Sequence, residues 1–199
     1  VIACPFCHTP LAETAPSCPR CTLDLQRTRA LLGPVPRLSS SGLSDLTQSL
    51  TPADERAIHK ATAAFHRRFP QCRILIVLSH FAPQFPLGVH LFWLFNTAGL
   101  SGQSSKHGHN RDILIGLDPG QKRSGLTVGY GLEPFLPQTA LEQVLDSASP
   151  HFKADHIATG LTTLIAQLAQ LMEGICRDLP DILGLDHPLV TTPSPSTEF

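Results

Sequence analysis

Charge is scarce in this chain. Only 16% of its 199 residues are Asp, Glu, Lys or Arg, and the net charge is −1 with a pI near 6.8. Such a balance does not by itself recruit nucleic acid or an anionic membrane surface. Long apolar runs are also missing, since none reaches the roughly 18 residues that a membrane span needs. Val1 to Pro5 show no charged stretch followed by an apolar one, so no export leader is expected, and a reducing, cytoplasmic setting follows as an expectation. Walker A and G-x-G-x-x-G sequences are absent, as are G-x-S-x-G and H-E-x-x-H, which removes the motif-borne nucleotide, serine-hydrolase and zincin chemistries. What is present is a 42% hydrophobic share, too high for a disordered chain. The length suits one medium domain with a small appendage.

The six cysteines are unevenly spread. Cys4-Pro5-Phe6-Cys7 and Cys18-Pro19-Arg20-Cys21 form two C-x-x-C pairs ten residues apart. Each tight turn presents two thiolates, and two turns complete a tetrahedral zinc site. The alternative, a pair of disulfides, is disfavoured by the expected reducing compartment. A segment this short has little core of its own, so a structural zinc would supply its folding energy. His8 follows Cys7 but is expected to be solvated, four thiolates being sufficient. Cys72 and Cys176 stand alone and are expected to be small buried hydrophobes.

The order of elements reads as follows. A zinc ribbon over 1–32 leads through a Pro/Gly/Ser-rich linker, 33–42, into an α/β domain over 43–180, and 181–199 reads as a disordered tail. Thr51-Pro52-Ala53-Asp54 opens a helix to about Arg68. Residues 72–79 and 112–117 are nearly continuous apolar runs, which predicts strands covered on both faces. A buried helix from Pro86 to Ala98 lies between them, making a βαβ unit. Asp118-Pro119-Gly120 then turns the chain into a half-buried antiparallel strand through Tyr130. Thr139 to Glu142 reads as a capping box before a helix, and a longer helix spans roughly 155–177, with a polar loop at 101–111. The sum is a three-layer α/β/α sandwich with a mixed sheet, preceded by the small zinc ribbon.

Ligands of open α/β sheets sit beyond the carboxyl ends of the strands. Asp45, Asp118 and Glu133 are the carboxylates expected to converge there, with hard oxygens suited to Ca²⁺ or Mg²⁺. Lys122 and Arg123 add positive charge for a phosphate, and Asp118 with Arg123 form the candidate catalytic pair. The ordinary reading of each is a turn residue or a solvated charge. His80, after the first long strand, is a weaker acid/base candidate, and His107 to Asn110 resembles a metal loop only in composition. Trp93 reads as core. The last third, from Glu133, holds nine acidic against two basic groups, the pattern of a solvated acidic face.

These stretches resemble the TPM domain family. The resemblance is carried by Leu50-Thr51-Pro52, Phe69-Pro70-Gln71, the strand Ile74 to Leu78, Phe92 to Asn96 and Asn110 to Leu114. It continues through Leu126 to Glu133, with its Gly-Tyr-Gly-Leu-Glu motif, then Pro150-His151-Phe152 and Gly160, so that it spans about residues 43–175. It implies an α/β/α sandwich. The family includes a thylakoid acid phosphatase and members reported to bind calcium, and Asp45-Leu46 is the nearest match to its opening Asp motif. Two roles are therefore expected. One is a divalent-cation or partner-binding regulatory module whose ribbon docks to a protein. The other is weak metal-assisted hydrolysis of phosphomonoesters. A nucleic-acid role through Arg20, Arg27, Arg29 and Arg37 rests on too few basic groups to be strong.

Overall fold

The computed structural model describes residues 2–12, 15–97 and 111–182. The polar loop over 101–110, with the His107–Asn110 segment, and the tail beyond 182 lie outside the described residues. Two short antiparallel strands, β1 (Ile2–Ala3) and β2 (Pro10–Leu11), and a helix, α1 (Leu25–Leu32), make up the amino-terminal unit. Asp24 caps α1 by accepting from the Arg27 amide. Gly33 ends the helix at φ 75°, a left-handed conformation that glycine adopts without strain.

A four-stranded sheet follows, in the order β3 (Leu43–Asp45), β4 (Arg73–Leu78), β5 (Asp112–Asp118) and β6 (Arg123–Val128). The first three strands are parallel and β6 is antiparallel. The mixed sheet and its flanking helices give the three-layer α/β/α architecture expected from the sequence. Strand β3, only three residues long, was not anticipated. It pairs Leu43 with Ile76 and Asp45 with Leu78, which adds an edge strand to the sheet.

Alternation along the strands sorts the two cores. Ile74, Ile76 and Leu78 of β4, with Ile113, Ile115 and Leu117 of β5, face one side. There they meet helices α2 (Pro52–Arg68), α4 (Gln138–Lys153) and α5 (Ile157–Ile182). Leu75, Val77 and Leu114 face the other side and meet Leu91 and Leu94 of α3 (Leu87–Thr97). Both faces are covered, which is why β4 and β5 read as unbroken apolar runs. Gly116 and Gly125 are paired across β5 and β6 and leave a notch for Leu91. A Cβ on Gly116 would lie 2.2 Å from Leu91 Cδ2, so the glycine sets how closely α3 approaches the sheet.

The helix boundaries follow local chemistry. Thr51 and Asp54 form a reciprocal capping box at the start of α2. The box expected at Thr139 is not formed, because α4 already begins at Gln138 after the extended Pro137, which places Thr139 inside the helix. Gly160 of α5 packs against the Phe152 ring, where a Cβ would meet Cε1 at 2.4 Å. Trp93 and Cys72 are buried as expected, whereas Cys176 is exposed on α5. Among the described residues no helix is long and apolar enough to cross a membrane.

The segment over 33–42 does not stand free of the domain. Val35 and Leu38 pack on the α3-side core, and the Ser39 amide donates to Ser44 Oγ. The Pro5 carbonyl lies close to Gly88 at the start of α3. The amino-terminal unit therefore rests against the α3 layer.

Candidate functional site

Two knuckles build the amino-terminal cluster, and they are alike bond for bond. The His8 amide donates to the Cys4 carbonyl, and the Cys4 amide to Thr9. In the second turn the Thr22 amide donates to Cys18 and the Cys18 amide to Leu23. His8 and Thr22 occupy matching positions at φ 57° and 58°. This repetition brings Cys4 Sγ to 3.6 Å from Cys21 Sγ, and Cys7 Sγ to 3.6 Å from Cys18 Sγ. All four sulfurs lie within 4.8 Å of one another. Zinc–thiolate bonds of about 2.3 Å at a tetrahedral centre put sulfurs about 3.8 Å apart, so the spacing fits a metal site. The sulfurs are far beyond the roughly 2.05 Å of a disulfide, and all four cysteines are free thiols. Hydrogen bonding with Thr9 draws the Cys7 thiol down to about 6, whereas burial pushes Cys21 up to about 12. A divalent cation would favour the thiolate at every position. His8 is exposed and stays outside the cluster.

The carboxylates are arranged differently from the expectation. Asp118 ends β5 and is fully buried. Its Oδ2 accepts from the Phe81 amide at 3.0 Å, from Gln121 Nε2 at 2.9 Å and from Arg123 Nη2 at 3.3 Å. Its Oδ1 accepts from the Gln121 amide at 3.2 Å, with His80 Nδ1 at 3.8 Å. Burial alone would raise its pKa, but the Phe81 and Gln121 amides and the Arg123 guanidinium together hold it below the usual carboxylate range. Arg123, the cross-strand partner of Asp118, also donates to the carbonyls of Phe81 and Phe85. The pair thus clasps the loop between β4 and α3 onto the β5–β6 hairpin. Lys122 reaches in another direction, to the Lys153 carbonyl and Asp155 between α4 and α5.

Asp45 also closes the parallel end of the sheet, but on the opposite face. It shares the side of Leu43 and Leu78, whereas Asp118 shares the side of Leu114 and Gly116. Its oxygens accept from the Thr47 amide and hydroxyl and from the Leu50 amide. Glu133 lies beyond the other end of the sheet. Strand β6 starts opposite Asp118 and finishes with Val128 opposite Ile113, so the chain that follows emerges at the amino ends of β4 and β5. Treating the end of β6 like the end of a parallel strand is what made the three carboxylates look convergent. Asp45, Asp118 and Glu133 do not meet. Among the described residues, the four cysteines are the one group of three or more metal-ligating side chains gathered at a point.

At that amino end, Arg73 and Asp112 form a two-bond ion pair across β4 and β5, at 3.0 and 2.8 Å. Sequence reasoning passed over Gln121 and His90. Gln121 completes the Asp118 clasp with both its amide and its side chain, and nothing in an isolated Gln marks that role. His90 is buried on α3 against Phe81, with Nε2 3.1 Å from the Ala82 carbonyl, and burial holds its pKa down.

The fold and the family can be compared with known proteins. No curated protein matches the chain. Among solved structures, the N-terminal domain of a protein from P. gingivalis is 24% identical, with a TM-score of 0.52, over 68% of this chain and 84% of that one. The BA42 protein of the psychrophilic bacterium Bizionia argentinensis is 14% identical, with a TM-score of 0.56, over 65% of this chain and 86% of that one. The N-terminal domain of a Corynebacterium glutamicum protein is 15% identical, with a TM-score of 0.50, over 70% of this chain and 84% of that one. At these identities the likeness is one of fold. The model of the TPM domain matches residues 43–171, from the first residue of β3 into α5. That is well over half of the sequence, and the chain belongs to the TPM domain family.

Proposed function

We propose that the chain is a binding module in which a zinc ribbon braces a TPM domain and holds a protein partner. The observation that carries this reading is the four-thiolate cluster, set in a ribbon that is seated on α3. Cys4, Cys7, Cys18 and Cys21 would hold the zinc. When bound, it supplies folding free energy, about 10–16 kcal/mol in comparable small zinc fingers. The ribbon needs such a source, because its apolar core is Leu23 with Leu11 at its margin. Four thiols of this kind persist in a reducing compartment such as the cytoplasm. Phe6, inside the first knuckle and 41% exposed, offers the partner an apolar side chain on a rigid turn.

The hydrolase reading asks more of the molecule. Asp118 and Arg123 would have to release Phe81, Phe85 and Gln121 to address a phosphoryl group, and Asp45 and Glu133 would have to reach them from the opposite face and the opposite end of the sheet.

Metal analysis of reduced protein is the first test. One zinc per chain is expected, lost in the Cys4→Ser/Cys18→Ser variant. A photoreactive residue in place of Phe6 is then expected to cross-link a discrete protein from the source cell only while zinc is bound. Cross-linking that ignores the metal removes the ribbon from the function. Turnover of p-nitrophenyl phosphate that disappears in Arg123→Lys at unchanged stability would replace the binding reading with the hydrolase.

A further inference from the structure

We infer that the groove between α2 and α5 is a docking site for the chain's own Leu189–Val190 pair, carried back by the stretch that follows α5. The groove measures about 360 Å³ and lies on the side of the sheet away from α3. Ala61, Ala64 and the buried Phe65 of α2 line it from one side, and Ile165, Ala166 and Ala169 of α5 from the other. Thr162 supplies the one hydroxyl of the lining, and it already donates to the Ala158 and Thr159 carbonyls. The groove therefore asks for aliphatic side chains rather than for a polar ligand. Arg67 and Arg68 stand at one end. Arg68 is paired with Glu173, whereas Arg67 is exposed and has no carboxylate partner among the described residues.

Reach and charge single out the occupant. Helix α5 runs past the Arg68–Glu173 pair to Ile182, so the chain leaves it beyond the arginine end of the groove. From Ala169 to Ile182 the helix rises about 20 Å. Seven or eight extended residues back from Ile182 cover about 23–26 Å, which brings Leu189 and Val190 level with Ala169 and leaves a few ångströms for the reversal. Gly184 suits that reversal, and Pro188 favours extended backbone at His187. From Thr191 to Glu198 no aliphatic residue follows, so Leu189 and Val190 are the last aliphatic pair within reach. Charge is complementary as well. Between Arg56 and Arg68, α2 holds Arg56, Lys60, Arg67 and Arg68 and no acid, while from Asp178 onward the sequence holds Asp178, Asp181, Asp186 and Glu198 and no Lys or Arg. Asp186 comes just before the apolar pair and passes the arginine end on the way in. Among the described residues, none of the ribbon joins the core on this side, so the docking stands apart from the partner-binding reading.

The test uses the zinc-loaded full-length chain with photoreactive benzoylphenylalanine in place of Thr191, which leaves Leu189 and Val190 intact. After irradiation and peptide mapping, links are expected within one chain, to residues 61–68 or 162–169. Ala166 is exposed, so Ala166→Arg fills the groove and leaves the core alone. It is expected to lower the yield of these links about tenfold at unchanged Tm. Leu189→Asp with Val190→Asp is expected to do the same from the side of the occupant. Arg67→Glu is expected to lower the yield several-fold at low salt. Links that scatter over the surface, or a yield that Ala166→Arg leaves unchanged, overturn the proposal. Links found only between two chains, read from the mass of the product, give the groove to a second copy and overturn it too.

Discussion

Replacing Asp118 with asparagine exchanges one oxygen for an amide nitrogen and removes one negative charge at a point with no solvent access. The parent carboxylate accepts from two backbone amides, the Gln121 side chain and Arg123. In the best orientation, the asparagine oxygen takes the place of Oδ2 and keeps the bonds from Phe81, Gln121 Nε2 and Arg123. Its amide nitrogen then faces the Gln121 N–H, donor against donor. A buried donor left unpaired costs about 1–3 kcal/mol, and the Arg123 bond loses its charge assistance. Arg123 keeps some contact with water, which holds the total below the roughly 3–5 kcal/mol of a fully buried broken ion pair. We expect a loss of about 2–4 kcal/mol, or roughly 5–15 °C in Tm for a chain of this size. Urea unfolding of the zinc-loaded protein measures it, with Arg123→Met and the double variant completing a cycle. The clasp predicts that the double variant loses clearly less than the two single losses added together. A loss under about 1 kcal/mol for Asp118→Asn, or strict additivity with Arg123→Met, would refute the clasp and return Asp118 to the list of ligand-binding groups.

Three further outcomes concern the seat of α3, the acid response of Asp118 and the start of α2. Gly116→Ala drives a Cβ to 2.2 Å from Leu91 Cδ2, so it is expected to cost about 1–3 kcal/mol, with partial rescue by Leu91→Val; equal stability of Gly116→Ala and the parent would show that α3 moves freely on the sheet. The lowered pKa of Asp118 means that its contribution is complete above the unfolded value of about 3.9 and is lost as pH falls through the folded value below it. The parent protein is therefore expected to lose stability more steeply than Asp118→Asn as the pH falls below about 4, as followed by denaturant midpoints. Thr51→Ala removes the hydroxyl that accepts from the Asp54 amide and is expected to lower Tm by about 2–4 °C, read by calorimetry.

How far the sequence could be read depended on whether local chemistry decided each feature. The C-x-x-C pairs announce their geometry, because tight turns and thiolates leave few ways to fold. Strands β4 and β5 were legible because cover on both faces imposes a continuous apolar run. Strand β3 was not, since its three residues owe their conformation to pairing with β4 rather than to their own pattern. Asp118 looked like a metal ligand or turn residue because one side chain cannot reveal that two backbone amides will converge on it. Glu133 was misplaced by orientation. The hairpin at Asp118 to Arg123 was foreseen, but its consequence for the end of β6 was not drawn.

That hairpin acts as a topological inverter. The Gly129–Leu132 loop belongs to the pole of the sheet that carries the Arg73–Asp112 pair, far from the seam with the ribbon. The molecule therefore has two chemically separate ends joined by a rigid slab of paired strands. A macromolecule that grips the Gly129–Leu132 end leaves the ribbon end sterically open, so the two ends can be occupied at once and their binding free energies add.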